Sequence, residues 1–100
     1  MTGFDYNGVV DTGNKRPSID DVIITGNTDV KTTLDWLNVH NIQCAVYFPP
    51  KTMKSHDDTA AGVFKSDMIR LLGVTEFYED KPEQIDIIKS SCPDCRVYRV

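Results

Sequence analysis

The chain has 100 residues, of which 40% are hydrophobic, and a formal net charge of -4 at pH 7. This length predicts a single domain over residues 1–100 with one packed core. The acidic balance gives no long-range attraction to nucleic acid or anionic membranes, and no apolar run reaches the roughly 18 residues of a membrane span. We therefore expect a soluble cytoplasmic protein without membrane contact, whose partner is a small ligand or another protein.

Strand and helix signals alternate along the chain, which is typical of an α/β fold with a mainly parallel sheet. The predicted strands are residues 2–5, "DVIIT" at 21–25, "IQCAVYF" at 42–48, "TEFYED" at 75–80 and "RVYRV" at 96–100. A polar loop with glycine and proline follows the first strand. The Pro49-Pro50 pair ends the third strand, because proline cannot donate to a sheet ladder.

The first helix follows the turn after "DVIIT", and Asn27 or Thr28 is its predicted cap. Its apolar residues recur at helical spacing and predict a buried face formed by Val30, Leu34 and Leu37. We expect this helix to end between residues 38 and 41.

The second helix begins near Thr59, after the polar loop that contains "KSHDD", and stops at Gly73 in a left-handed cap. Its predicted buried residues are Ala61, Phe64, Met68, Leu71 and Leu72. The third helix has Pro82 in its first turn, and Asp80 with Glu83 imitates a capping box. Its inward residues are Ile85 and Ile88.

The cysteines and histidines do not form a recognisable site. Cys92 and Cys95 in "SCPDC" predict a turn before the last strand, with a redox or metal role as the open alternative. His40 and His56 are expected to be solvated or half-buried residues at a helix end and in a loop.

Four polar residues are predicted to lie at the edge where a parallel sheet binds ligands, and their order along the chain is similar to that of a known family. They are Asp5, Thr25, Lys65 and Asp80. Their segments, "DYNGVV", "VIITGNT", "VFKSDMIRLLGV" and "FYEDKPEQI", resemble in order the four motifs of the haloacid dehalogenase superfamily of phosphotransferases over nearly the whole chain. Receiver domains also group Asp, Thr and Lys at this edge, but their phosphorylated Asp follows a middle strand.

The resemblance implies a three-layer α/β sandwich with a Rossmann-like parallel sheet of about five strands in the order 5-4-1-2-3. Members of the superfamily usually carry cap insertions, and the loops here are too short for one. The chain is thus similar to minimal, capless members such as short phage-encoded proteins.

The resemblance also implies roles for individual residues. Asp5 is the expected nucleophile, which forms an aspartyl phosphate. Thr25, with the amides of Gly26 and Asn27, is expected to bind the phosphoryl oxygens. Lys65 is expected to clamp both the nucleophile and the transferring phosphate.

The expected cofactor is Mg²⁺, which prefers oxygen ligands. The family pattern assigns it to Asp5, Asp80 and the backbone carbonyl of Asn7. Two roles remain open for Glu79, the neighbouring acid. It either acts outside the coordination sphere of the Mg²⁺ ion or exchanges with Asp80 as a ligand.

Asn7 departs from the family pattern, because most phosphatases of the superfamily have a second Asp there that acts as general acid and base. An amide does not exchange a proton near neutral pH, so turnover should be slow. Three explanations of Asn7 remain open: a substrate with a good leaving group, a binding role without chemistry, or an introduced Asp-to-Asn change. The sequence therefore predicts a Mg²⁺-dependent phosphohydrolase or phosphotransferase, or alternatively a catalytically silent module that binds a phosphorylated ligand or protein.

A capless site is open, and its expected partner is a small or macromolecular phosphorylated substrate. Nucleic acid is disfavoured by the net charge of -4. Four basic residues are available to gather at the mouth of the site, namely Lys15, Arg16, Lys51 and Lys54.

Overall fold

The structure is a computed structural model that describes residues 1–54 and 56–100. Its strands are β1 (Thr2–Phe4), β2 (Val22–Ile24), β3 (Ala45–Tyr47), β4 (Glu76–Glu79) and β5 (Arg96–Arg99). Its helices are α1 (Val30–Val39), α2 (Asp58–Leu72) and α3 (Pro82–Ser91). The predicted loop between β3 and α2 includes Ser55, which lies outside the described residues.

All neighbouring strands pair in parallel, in the order β3-β2-β1-β4-β5. Read from the other edge, this is the predicted order 5-4-1-2-3. Because β1 is central, the segment after it lies between the segments after β2 and β4. The predicted α/β fold with a Rossmann-like parallel sheet is confirmed.

The central strands β1, β2 and β4 are largely buried on both faces of the sheet, as strands of parallel sheets usually are. One core cluster joins Ile23 to Leu37 of α1, and the other joins Phe77 to Ile88 of α3 and Ile69 of α2. Helices thus cover the two faces and make three layers. Within the described residues, no helix is long and apolar enough to cross a membrane.

Helix α1 differs from the prediction in its cap and its buried face. Asp29 is the cap, because its side chain accepts a hydrogen bond from the amide of Thr32, a role predicted for Asn27 or Thr28. Leu37 is buried as predicted, but Val30 and Leu34 are 37% and 45% exposed. The prediction of their burial was wrong, because the helix meets the core with a different side that carries Thr33, Trp36 and Leu37.

Helix α2 begins one residue before the predicted start, at Asp58, and Asp57 caps it by accepting from the amide of Ala60. Gly73 ends it with φ 74°, which confirms the predicted left-handed cap. The burial of Leu71 was predicted wrongly, since this residue is 77% exposed.

The inward face of α2 is formed by Ala61, Gly62, Lys65, Ser66 and Ile69. Phe64, Met68 and Leu72, which were predicted to be buried, are partly buried beside this face. The face is rotated relative to the apolar stripe because Lys65 turns inward to meet buried carboxylates.

Helix α3 has Pro82 in its first turn and buries Ile85 and Ile88, as predicted. The predicted capping box of Asp80 and Glu83 is absent from this described helix, whose N-cap is Lys81 without a side-chain cap bond. The carboxylate of Asp80 instead belongs to a cluster of acids.

The predicted turn before the last strand is present, because the amide of Cys95 donates to the carbonyl of Cys92. Both thiols are free and buried. Burial, together with the neighbouring Cys92, raises the pKa of Cys95 to about 11, which disfavours the reactive thiolate. His40 is exposed at the end of α1, as predicted. Its ring also stacks on that of Trp36.

Candidate functional site

The site lies at the carboxyl edge of the sheet, where β1, β2 and β4 end side by side. Asp5 follows β1, Thr25 follows β2, and Asp80 follows β4. The amide of Asp5 donates to the carbonyl of Tyr78 over 2.9 Å, so the ladder continues to the residue that carries the first carboxylate. The topology therefore brings Asp5, Glu79 and Asp80 together.

Lys65 reaches this edge from α2 and is 1% exposed. Its ammonium donates to Asp5 Oδ1 over 2.9 Å, to Glu79 Oε1 over 2.7 Å and to Gln84 Oε1 over 2.6 Å. A lysine ammonium has three N–H groups, so these acceptors use all of them. Lys65 is therefore not a solvated residue on the surface of α2.

The protonation of the site follows from burial and from the mixture of charges. Burial raises the pKa of Asp5 to about 7; the cation of Lys65 opposes this rise, and the charge of Glu79 adds to it. Burial disfavours the charged form of Lys65, but the two carboxylates outweigh burial and raise its pKa. The ammonium of Lys65 therefore stays charged, whereas the carboxylate of Asp5 is readily protonated near neutral pH.

Three carboxylates form a group that could hold a metal ion. One oxygen from each of Asp5, Glu79 and Asp80 lies within 4.8 Å of the others. The buried Oδ1 of Asp80 lacks a hydrogen-bond partner among the described residues. Burial, and then the close approach of Asp5, raise the pKa of Asp80. An orphaned carboxylate oxygen beside a second carboxylate is a donor set that fits a hard divalent cation.

Glu79 is held differently from Asp80. Its Oε1 accepts from Lys65, and its Oε2 accepts from the amide of Asp80 over 3.2 Å. Both oxygens are therefore engaged by the protein, and the side chain is fully buried. This arrangement favours the role outside the coordination sphere over exchange with Asp80.

Gly8 permits the loop after β1 to approach Asp80. Its φ is 84°, and a Cβ built at this position would lie 2.1 Å from Asp80 Oδ2. Both the backbone conformation and the contact therefore require glycine.

Asn7 is exposed and its amide is fixed on both sides. Its Nδ2 donates to Asp11 Oδ2 over 3.0 Å, and its Oδ1 accepts from Asn27 Nδ2 over 3.1 Å. Asp11 Oδ1 in turn accepts from the amide of Gly8 over 2.7 Å. An amide matches this pair of partners, because it presents a donor nitrogen on one side and an acceptor oxygen on the other.

Thr25 is fully buried, and its hydroxyl oxygen accepts from the amide of Asn27 over 3.0 Å. The side chain thus organises the loop after β2. At this strand end, the residues that line the cavity are Gly26, Asn27, Thr28 and Asp29.

A cavity of about 530 Å³ opens above Asp5. Asn7, Asn27, Lys65 and Gln84 line it, together with residues from the start of α2. His56, which was predicted to be a solvated loop residue, is exposed and also lies on its wall.

The four basic residues predicted for the mouth do not line this cavity within the described part of the chain. Lys15 lies over the ring of Tyr78, 4.6 Å from its centroid, and Arg16 donates to the carbonyl of Asn41. Lys51 and Lys54 are exposed. Among the described residues, the cationic side chains on the wall are Lys65 and Lys81, and neither was part of that prediction.

Sequence reasoning missed Gln84, Asp58 and Asp11. Gln84 Nε2 donates to Asp58 Oδ1 over 2.8 Å, which connects α3 to the first residue of α2. One signal was available, because Gln84 stands four residues before the inward Ile88 and hence on the same helix face.

Comparison with family models, with curated proteins and with solved structures finds no match to this chain. The site therefore has to be interpreted from its own geometry and chemistry.

Proposed function

We propose that this chain is a Mg²⁺-dependent phosphohydrolase or phosphotransferase of the haloacid dehalogenase type, acting through an aspartyl phosphate on Asp5. The observation that carries the proposal is the buried contact between Lys65 and Asp5 over 2.9 Å. Both residues line a cavity, and the carboxylates of Glu79 and Asp80 lie beside Asp5. A buried carboxylate oriented by a cation suits an in-line nucleophile.

Asp5 carries the covalent step. Lys65 engages Oδ1 and leaves Oδ2 to attack phosphorus. The new bond joins Oδ2 to phosphorus as the bond from phosphorus to the leaving oxygen breaks, and that oxygen departs with the electron pair. Water then attacks the phosphorus, which releases inorganic phosphate and restores the carboxylate. Covalent catalysis thus divides one difficult displacement into two steps.

The residues that would hold Mg²⁺ are Asp5, Asp80 and the backbone carbonyl of Asn7, with Glu79 outside the coordination sphere. When bound, the ion supplies positive charge against the phosphoryl oxygens and the attacking carboxylate. Without it, burial and the neighbouring Glu79 raise the pKa of Asp5 against the cation of Lys65, and burial followed by the approach of Asp5 raises the pKa of Asp80.

The phosphoryl group is expected to meet the loop after β2, where Gly26 and Asn27 line the cavity and Thr25 braces the loop. Backbone amides near the start of a helix favour an anion. Lys65 is the nearby cation, but its three N–H groups already have acceptors. It would therefore contact a phosphoryl oxygen only by sharing or releasing one of them.

Asn7 limits the second step, because no proton-accepting group occupies its position. Hydrolysis of the aspartyl phosphate should be slower by roughly 10² to 10⁴ than with a general base there. The fixed hydrogen bonds of the Asn7 amide to Asp11 and Asn27 also favour a second candidate, a silent module that binds a phosphorylated ligand or protein.

Hydrolysis of an aryl phosphate with and without Mg²⁺ separates the two candidates. Because a nitrophenolate leaves without protonation, we expect a Mg²⁺-dependent burst of product stoichiometric with the protein, followed by slow turnover. Asp5→Asn should abolish the burst, and Asp80→Ala should abolish the part of the burst that requires Mg²⁺. The exposed Asp20 provides a matched control, since Asp20→Asn should leave the burst unchanged.

A burst that survives in the Asp5→Asn variant would contradict the proposed nucleophile. If no product forms in any chain, while the folded protein binds inorganic phosphate, the binding module becomes the better account.

A further inference from the structure

Gln84 occupies a position in the site that the proposed chemistry does not use. It is 6% exposed, lies in the first half of α3 and borders the cavity. Its Oε1 accepts from Lys65 Nζ over 2.6 Å, and its Nε2 donates to Asp58 Oδ1 over 2.8 Å. Both ends of the amide therefore contact charged groups.

The orientation of this amide follows from its partners. An ammonium only donates, so the carbonyl oxygen of Gln84 must face Lys65. A carboxylate only accepts, so the amide nitrogen must face Asp58. The two contacts support each other, because reversing the amide would break both.

Lys65 depends on this contact for its own position. Two of its N–H groups hold Asp5 and Glu79, and the third has Gln84 as acceptor. Removing that acceptor would leave a buried ammonium N–H unsatisfied, which is costly. The ammonium would then be free to turn away from Asp5.

We infer that Gln84 is a positioning residue that holds Lys65 against Asp5, and that Asp58 fixes the orientation of its amide. The contacts to Lys65 and Asp58 stand on geometry alone, while the kinetic consequence rests on the proposed function of Asp5. A chain of hydrogen bonds thus connects Asp58 on the cavity wall, through Gln84 and Lys65, to the proposed nucleophile Asp5.

The first test uses no turnover. The Lys65 ammonium, buried with three acceptors, should give a slowly exchanging proton–nitrogen NMR signal, assigned by its loss in Lys65→Arg. Gln84→Met keeps the length of the side chain but removes both polar contacts, so it should shift or broaden this signal. The exposed Asp86 on the same helix provides the control Asp86→Asn, which should leave the signal unchanged.

The second test exchanges the amide of Gln84 and the carboxylate of Asp58 between the two positions. Gln84→Glu keeps an acceptor for Lys65 but places a carboxylate against Asp58. Adding Asp58→Asn supplies an amide donor to the introduced carboxylate. Gln84→Glu alone should lower the burst rate constant on an aryl phosphate, and Gln84→Glu with Asp58→Asn should recover most of the loss, as a coupling between contacting residues requires.

In the same assay, Gln84→Met should reduce the burst rate constant roughly tenfold, in line with the loss of a hydrogen bond to a charged group, and change the half-saturating substrate concentration little. An unaltered Lys65 signal in a folded Gln84→Met variant would overturn the inference. So would a rate in the exchanged pair no higher than in Gln84→Glu alone. Absence of turnover in every chain would reject the proposed function instead, and the NMR signal would still decide the role of Gln84.

Discussion

Replacing Lys65 by methionine should lower the free energy of unfolding by roughly 3–5 kcal/mol, the usual cost of removing one partner of a buried ion pair. Lys65 is 1% exposed and is bonded to Asp5 and Glu79, which are 4% and 0% exposed. Methionine fills a similar volume but leaves two buried carboxylates in contact without a cation. Urea unfolding followed by circular dichroism measures the loss.

The loss should shrink as the pH falls. Lys65 holds down the pKa of Asp5, which burial raises to about 7, so removing the cation raises this pKa further. Between the ordinary pKa of an Asp and about 7, both folded chains bind more protons than their unfolded forms, and above about 7 only the variant does so. The loss therefore shrinks as the pH falls from the raised pKa of the variant to about 7, and changes little below that value. Lys89→Met on α3 is the control, because Lys89 is exposed. A loss in Lys65→Met no larger than that of the control would contradict the buried network.

Introducing a proton carrier at Asn7 should raise steady-state phosphatase turnover by roughly two to four orders of magnitude, the range for general acid-base assistance. The structure identifies an obstacle to the single change Asn7→Asp. Asn7 Nδ2 donates to Asp11 Oδ2 over 3.0 Å, so a carboxylate at Asn7 would meet the carboxylate of Asp11. This contact would break a hydrogen bond and set two like charges together.

The double change Asn7→Asp with Asp11→Asn avoids this repulsion. The introduced amide can still accept from the Gly8 amide and can donate to the introduced carboxylate, while Asn27 remains a donor on the other side. We therefore expect the largest gain in the double variant, a smaller one in Asn7→Asp and none in Asp11→Asn. The substrate should have a poor leaving group, which needs protonation.

Adding Asp5→Asn to the double variant should abolish the gain. If the folded double variant turns over several phosphomonoesters no faster than the unchanged chain, the missing proton carrier does not limit the reaction.

The positions of Asp5, Thr25 and Asp80 could be predicted because each follows a strand, and parallel strands bring their carboxyl ends to one edge. The sequence pattern of each strand is local and contains little ambiguity. Gly73 was equally predictable, since a left-handed helix end strongly favours glycine.

The buried sides of the helices were harder to predict. Leu34 and Leu71 belong to apolar stripes, yet both are exposed, because periodicity does not determine which part of a stripe meets the sheet. In α2, Lys65 points inward because its ammonium pairs with the buried carboxylates of Asp5 and Glu79. These carboxylates come together only when the strands have assembled, so the helix sequence alone does not predict the pairing.

The partners of Gln84 and Asn7 could not be inferred for a related reason. Gln84 meets Asp58 only because α3 packs against α2, and the two residues are 26 positions apart. Asn7 meets Asn27 only because β1 and β2 are neighbours. The family resemblance supplied roles for the strand ends but none for these contacts.

Trapping the phosphorylated protein tests the central claim most directly. The chain is incubated with Mg²⁺ and an aryl phosphate, quenched in acid and examined by intact-mass and peptide mass spectrometry. Because Asn7 cannot activate water, we expect one phosphoryl group to accumulate on Asp5, to be absent from Asp5→Asn and to be depleted in the double variant Asn7→Asp with Asp11→Asn. An unmodified Asp5, or a phosphoryl group that persists in Asp5→Asn, would contradict the account.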